Sequence, residues 1–170
     1  MLKLEQISRQ DRDFLRYVYG FRKKVFEEEL KFPRADRMVF NEWDALSNHY
    51  IVIVDGSPSG SVSVVDWTGL TDVLKKYQID TTKKVAKITK LAILPEARGI
   101  QTLKSLISPV KEEVSNFDIA LAEVAPPSNN PSDVSRYQLG DKYKQLFGLK
   151  KTGKIMYNGV ISQVLSKRIN

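Results

Sequence analysis

The stretch Lys87-Ile88-Thr89-Lys90-Leu91-Ala92-Ile93-Leu94-Pro95-Glu96-Ala97-Arg98-Gly99-Ile100-Gln101-Thr102-Leu103 decides how this chain is read. The part before Pro95, taken with Val85 and Ala86, is β-prone, and Pro95-Glu96-Ala97-Arg98-Gly99 breaks it sharply. From Ile100 the apolar residues Leu103, Leu106, Ile107, Val110 and Val114 recur on one helical stripe, with a kink expected at Pro109. A strand that turns into a helix in this way presents the helix's first N–H groups. These groups lack internal partners and sit at the positive end of the helix, a setting suited to phosphate oxygens. Gly99 allows close backbone approach, and Arg98 can pair with a phosphate. On this fragment alone, a plain turn accounts for the glycine equally well.

Working outward, Lys3 to Ile7 alternates weakly as a first strand. Phe14, Leu15, Val18, Phe21, Val25 and Phe26 then recur at helical spacing, giving a helix from about Gln10 to Leu30. Lys31-Phe32-Pro33-Arg34 ends it, because proline cannot continue a helix. Arg34 to Asn48 reads as a loop with a helical turn at Trp43 to Leu46. Tyr50 to Val54 and Ser61 to Val65 form a hairpin about the turn residues Asp55 to Gly60. A short helix at Thr71 to Tyr77 and the strand Val85 to Leu94 follow. Beyond the helix at Ile100 come a strand at Ile119 to Val124 and a loop at Pro126 to Ser132. A short helix near Leu139 to Phe147 then leads to strands at about Gly153 to Tyr157 and Val160 to Leu165. Asn158-Gly159 suits a type I′ turn between those strands. The pattern gives one α/β domain over residues 1–170, with mixed strands covered by helices. The expected core includes Ile51, Ile53, Val62, Val64, Ile88, Ala92, Leu103, Leu106, Ile119 and Leu121.

Composition narrows the chemistry. The 170 residues are 42% hydrophobic and 28% charged, which excludes disorder and collagen-like repeats. The longest apolar run, Tyr50 to Val54, is far short of the ~20 residues that span a bilayer, so no membrane span is expected. The opening Met1-Leu2-Lys3-Leu4-Glu5 lacks a basic-then-apolar leader pattern, and a cytoplasmic location is expected. There is no cysteine and one histidine, which removes disulfides, thiolate metal sites and two-histidine metal sites, so metal is not expected. The net charge of +7 is uneven: residues 1–72 carry 10 basic and 12 acidic side chains, and residues 73–170 carry 17 and 8. A basic half suggests an anionic partner. Nucleic acid fits poorly, since no helix has a continuous basic face and no basic strand is interleaved with aromatics. A phosphorylated small molecule or an acidic protein fits, and a solvated lysine-rich surface is the plain alternative.

The order of elements, with Leu91-Ala92-Ile93-Leu94-Pro95-Glu96-Ala97-Arg98-Gly99-Ile100, resembles the GCN5-related N-acetyltransferase (GNAT) superfamily over nearly the whole chain. In that superfamily a strand ending in L-A-V-x-P-x-x-R-G leads into the pyrophosphate-binding helix. Phe21-Arg22-Lys23-Lys24-Val25-Phe26, Trp43-Asp44, His49-Tyr50 and the following hairpin are similar to the branch holding autoinducer synthases, long-chain N-acyl amino acid synthases and some acetyltransferases with an R-x-x-V-F opening. Tyr143-Lys144-Gln145-Leu146-Phe147-Gly148-Leu149 looks like the superfamily's F-Y-x-x-L-G-F segment. The resemblance implies a mixed, mostly antiparallel central sheet flanked by helices. It also implies acyl transfer from an acyl thioester to the amine of a small molecule. The implied co-substrate is acyl-CoA (acetyl-CoA) or acyl-phosphopantetheine on an acyl carrier protein. Leu91, Ala92 and Ile93 would then bind the pantetheine arm. Arg98, Gly99, Ile100, Gln101, Thr102 and Leu103 would bind the phosphates. Arg22, Phe26 and Trp43 would face the acceptor, and Asp44 and Tyr143 are the implied catalytic residues.

The sequence also departs from the superfamily. Gln101 and Leu103 occupy the two small-residue positions of the phosphate loop, which crowds a pyrophosphate and favours the single phosphate of a carrier protein. Lys87 and Lys90 stand where the autoinducer branch carries E-x-x-R. Alignment on Gly148 puts Lys144 at the position of the usual tyrosine, with Tyr143 one place away. A catalytically inactive binding module and a nucleic-acid-binding domain are the competing readings from other classes. His49, a lone histidine before a buried strand, reads first as a structural hydrogen-bonder rather than a base. Glu27-Glu28-Glu29 reads as a solvated face.

Overall fold

The β-prone residues around Asp55-Gly56 pair as an antiparallel hairpin in the computed structural model, which describes residues 1–7, 12–29, 31, 35–124, 144–157 and 160–169. Strand β2 (Ser47–Val54) and strand β3 (Ser57–Asp66) meet with Val54 opposite Ser57. Asp55 (φ 49°) and Gly56 (φ 81°) both lie in the left-handed region, the requirement of a type I′ turn. The turn is therefore shorter than the expected Asp55 to Gly60. Pro58 is absorbed into β3 beside a register shift at Val52/Ile53, an irregularity that suits a residue with no ladder N–H.

Strand β1 (Leu2–Ile7) pairs antiparallel with β2. Helix α1 (Arg12–Lys23) continues as a π-helical turn at Lys24–Glu29, where a single α-helix was expected. The inward residues explain the wider turn. Val18, Arg22 and Phe26 are spaced by four, as are Phe21 and Val25, and this spacing drifts around a regular 3.6-residue helix. A wider turn returns Val25 and Phe26 to the buried face. A short helix α2 (Ala35–Val39) occupies part of the segment expected to be loop; it is too short to show apolar periodicity. A 3-10 turn at Glu42–Leu46 follows, where a helical turn was expected. Helix α3 (Thr71–Lys76), strand β4 (Val85–Ile93), a 3-10 turn at Pro95–Ala97 and helix α4 (Ile100–Val114) match the sequence reading. Strands β5 (Ile119–Val124), β6 (Lys150–Tyr157) and β7 (Val160–Arg168) complete the order. Asn158, Gly159 and residues 125–143 lie outside the described residues, so the I′ turn and most of the short helix near Phe147 do too; residues 144–147 are helical.

The chain forms two compact units. One comprises Met1–Val65 with Thr89–Val110, and its strands run in the order β1-β2-β3-β4. Its core joins Val18, Phe21, Val25 and Phe26 of the first helical segment to Ile51 of β2 and Ala92 of β4. Met38, Ile53 and Leu94 pack at the edge of this core. The other unit comprises Asp66–Ile88 with Lys111–Asn170, and its strands run β4-β5-β7-β6. There β4 and β5 are parallel, from Val85↔Ile119 to Ile88↔Ala122, while β5–β7 and β6–β7 are antiparallel. The architecture is thus mixed α/β with mostly antiparallel strands, as the sequence implied. Of the expected core, Ile51, Val62, Val64, Ile88, Ala92, Leu106 and Leu121 are buried; Ile53, Leu103 and Ile119 are half-buried.

Candidate functional site

The first unit contains the end of β4 from Thr89, the turn after it and α4 as far as Val110, the heart of the stretch that the sequence singled out. Past Ile88, the last register pair with β5, β4 continues through Thr89 to Ile93. Strand β3 lies against this stretch: the Leu94 N–H donates to the Ser59 carbonyl at 2.9 Å. A Cβ on Gly60 would sit 3.2 Å from the Ala92 carbonyl oxygen and 3.1 Å from Val52 Cγ1, so only glycine permits this approach without displacement. Ala92 is buried, and Leu91 and Ile93 are half-buried.

The Pro95–Ala97 turn then delivers Arg98, Gly99 and the N-terminus of α4. The first helical bond runs from the Leu103 N–H to the Gly99 carbonyl at 3.0 Å. Helix geometry leaves the amides of Ile100, Gln101 and Thr102 ahead of it without intrahelical acceptors. A Cβ built on Gly99 meets no atom of the described residues within 4 Å, so among them this corner is open. Ile100 and Gln101 are exposed, Leu103 is half-buried and Thr102 is buried. Arg98 donates through Nε to the Ile93 carbonyl (3.1 Å) and through Nη2 to Glu29 (2.6 Å). Glu29 is therefore an ion-pair partner rather than part of a purely solvated face.

Beneath β4 lies a buried charge cluster. Arg22, fully buried, spreads its donors over four groups on three elements. Nε reaches Ser61 Oγ (3.4 Å), Nη1 reaches Asp44 Oδ1 (2.8 Å) and the Val39 carbonyl (3.4 Å), and Nη2 reaches Ser63 Oγ (2.6 Å). Asp44, 1% exposed, takes Arg22 on one oxygen; on the other it takes the Asn41 N–H (2.8 Å) and the Lys90 ammonium. Asn41 caps the 3-10 turn through Trp43 N (3.1 Å) and also accepts from Lys90 Nζ (3.2 Å). Burial would raise the Asp44 carboxyl, but Arg22 and Lys90 reverse this and hold it below the usual carboxylate range. Burial, aided by Arg22, pushes the Lys90 ammonium down to about 8 against the pull of Asp44.

His49 belongs to the same cluster. Its Nε2 lies 3.2 Å from the Asp44 carbonyl oxygen, which assigns the proton to Nε2, and its Nδ1 lies 2.8 Å from Ser63 Oγ. Burial and then Arg22 depress it to about 4, so the ring is neutral near pH 7. This is the structural hydrogen-bonder the sequence suggested. Phe26 lies in the core beside Ala92, Trp43 is half-buried on the capped turn, and Tyr143 lies outside the described residues.

Sequence reasoning noted Lys90 only as a departure from a pattern. A signal was present: Ile88, Lys90 and Ala92 share one face of the strand by two-residue alternation, and a lysine between two core positions demands a buried counter-ion. In the second unit, Lys87 makes a comparable pair. Its Nζ is 2.7 Å from Glu123 Oε2 and 4.5 Å from the Trp67 ring centroid, while Tyr77 donates its hydroxyl to the other Glu123 oxygen. Burial pushes the Glu123 carboxyl up to about 7.

No protein-family model matches the sequence, and no curated protein matches it. Solved structures do match. Escherichia coli ElaA superposes with a TM-score of 0.68 at 13% identity, over 99% of this chain and 100% of that one. An acyl-CoA N-acyltransferase from Pseudomonas aeruginosa gives 0.66 at 12% identity, over 98% and 99%. FeeM, an N-acyl amino acid synthase from uncultured soil microbes, gives 0.59 at 12% identity, over 99% and 92%. Over nearly its whole length the chain shares its fold with these structures, and with a GNAT-family acetyltransferase from Streptococcus agalactiae (TM-score 0.63, 12% identity, over 98% and 95%).

Proposed function

We propose that the protein is an N-acyltransferase that moves an acyl group from an acyl thioester, acetyl-CoA or a longer acyl-CoA, to the amine of a small molecule. The carrying observation is the corner at which β4, running on past its ladder with β5, turns into the open N-terminus of α4. An extended pantetheine arm hydrogen-bonds to the main chain of Leu91, Ala92 and Ile93 as an added strand edge does. Its phosphates meet the amides from Gly99 to Leu103 and the Arg98 guanidinium. The acceptor enters on the side of half-buried Trp43, with Arg22 and Phe26 buried behind it as support.

In the reaction the amine lone pair attacks the thioester carbonyl carbon. A C–N bond forms, the C–S bond breaks, and strand amides stabilise the intermediate oxyanion. The amine's surplus proton passes to a base, and the departing thiolate takes a proton from an acid, assigned here to Tyr143. Asp44, clamped by two cations, is a poor proton acceptor. Its part in this proposal is to fix the acceptor side and β4, with ordered water taking the proton.

A donor on an acyl carrier protein is the second reading. Gln101 on the exposed first turn of α4 favours it, because a single phosphate needs less room there than a pyrophosphate. Thermal shift with acetyl-CoA, longer acyl-CoA and acyl carrier protein ranks the donors, since a ligand of the native state raises apparent stability. Thiol release with a panel of amines then tests transfer. Stabilisation by a thioester without thiol release identifies an inactive binding module, and no stabilisation by any thioester overturns the donor site.

A further inference from the structure

Lys90 sits inside β4 with φ 56°. That left-handed backbone suits glycine or asparagine; a lysine there crowds its own Cβ against the chain and persists only where its surroundings over-determine it. They do so here. Lys90 is 3% exposed and its ammonium bonds Asp44 and Asn41, residues of the capped turn, while Asp44 is fixed in turn by Arg22 and by the Asn41 N–H. One left-handed residue also rotates the neighbouring peptide planes away from a regular pleat, as in glycine-type bulges. The next residues are Leu91, Ala92 and Ile93.

We infer that the Lys90 side chain is a tether: by bonding Asp44 and Asn41 it holds the left-handed step in β4 and so aims the Leu91–Ile93 amides at the thioester, which makes Lys90 a positioning residue for acyl transfer. This rests on the donor site proposed above. An argument and an observation set the tether apart from ordinary core packing. An apolar side chain at this inward position fills the space without any need for a left-handed backbone. The ammonium's partners, moreover, lie on a turn far away in the sequence, so the contact joins the acceptor side to the donor strand. The charged and titratable groups around the ammonium are Asp44 and Glu42 on the turn, Arg22 on α1 and neutral His49 on β2; β3 adds the uncharged Ser61 and Ser63 near Arg22.

The test compares Lys90→Gly with Lys90→Met, using the thioester and amine that give thiol release with the unaltered protein. Glycine adopts the left-handed step without a tether, whereas methionine removes the tether and leaves the step unfavourable. Lys90→Met is expected to lose about tenfold or more in kcat with the donor KM little changed, and Lys90→Gly to stay within about threefold. The unaltered protein loses kcat as pH rises through about 8, where the ammonium titrates, and Lys90→Gly lacks that limb. Equal losses in both variants, or a fully active Lys90→Met, overturn the inference. If Lys90→Met does not fold, a folded Lys90→Gly that has lost about tenfold in kcat overturns it and one near the original rate supports it. If the unaltered protein transfers no acyl group, the donor reading has failed. A crystal structure of Lys90→Met then decides the tether by itself: relaxation of residue 90 to negative φ supports it, and a retained positive φ overturns it.

Discussion

Arg98 Nη2 lies 2.6 Å from Glu29 Oε2, so the guanidinium at the mouth of the proposed phosphate site is already paired with a carboxylate from the end of the first helical segment. Both side chains are partly exposed, and such a pair contributes about 0–1 kcal/mol. A donor phosphate has to share or displace that carboxylate, and meets its charge in either case. Glu29→Gln should therefore tighten donor binding by up to about fivefold at low salt, with the gain shrinking as salt is added. Arg98→Ala should weaken binding by about 1–3 kcal/mol and abolish any effect of Glu29→Gln. Titration calorimetry of the four proteins of this cycle checks both. Weaker binding in Glu29→Gln assigns the carboxylate to orienting Arg98 instead.

Gly60 gives a packing test of the donor strand. An added Cβ meets Val52 Cγ1 at 3.1 Å, Ile93 Cγ1 at 3.2 Å and the Ala92 carbonyl at 3.2 Å. The two side-chain ends can yield by rotation, but the carbonyl belongs to the strand main chain. Gly60→Ala should cost about 1–3 kcal/mol in urea unfolding, and Gly60→Val more. Donor affinity should fall with it, because the displaced carbonyl lies between Leu91 and Ile93. An unchanged denaturation midpoint removes the close approach from the argument.

Much of this arrangement was legible in the sequence because it follows from local rules. The Asp55-Gly56 pair fixes a hairpin, and the break at Pro95 fixes where β4 ends. The stripe from Leu103 to Val114 fixes α4, which runs on through Pro109. The π-helical turn at Lys24–Glu29 was less legible, since only the four-residue spacing of inward positions hints at it. The charge cluster was legible in part. Arg22 and Asp44 drew notice, but Lys90 bonds a carboxylate 46 positions away. No local spacing reports such a pair, and the only clue is a lysine at an inward strand position. The left-handed backbone at Lys90 has no sequence signature at all, because residue preference argues against it.

Arg22 provides the sharpest stability prediction. Its planar fork serves Ser61, Asp44, the Val39 carbonyl and Ser63 together, and a lysine at this position offers a single point of charge. Arg22→Lys should cost about 3–5 kcal/mol, since Asp44 loses its orienting partner while buried. Arg22→Met should cost at least as much, because it leaves Asp44 Oδ1 without the guanidinium and Lys90 as the cation still bonded to the carboxylate. Thermal unfolding ranks the two. A loss below about 1 kcal/mol for Arg22→Lys shows that the fork is dispensable.

The chain's single histidine makes acid stability a test of the same cluster. His49 is depressed from 6.5 to about 4, so between those values the unfolded chain binds more protons than the native one. Stability from this group is complete above pH 6.5 and drains away as pH falls toward 4, by an amount on the order of 3 kcal/mol. Glu123 works in the opposite direction. With its carboxyl raised to about 7, its contribution is fully present below 4.5 and is lost as pH rises through 7. The two partly cancel in the unaltered protein, so the informative quantity is a difference. Subtracting the urea-unfolding profile of His49→Gln from that of the unaltered protein removes Glu123 and leaves the histidine. That difference should grow steadily from pH 4 to 6.5 and then level off. A flat difference across the interval means that the ring is charged in the native state, and the neutral assignment beside Arg22 fails.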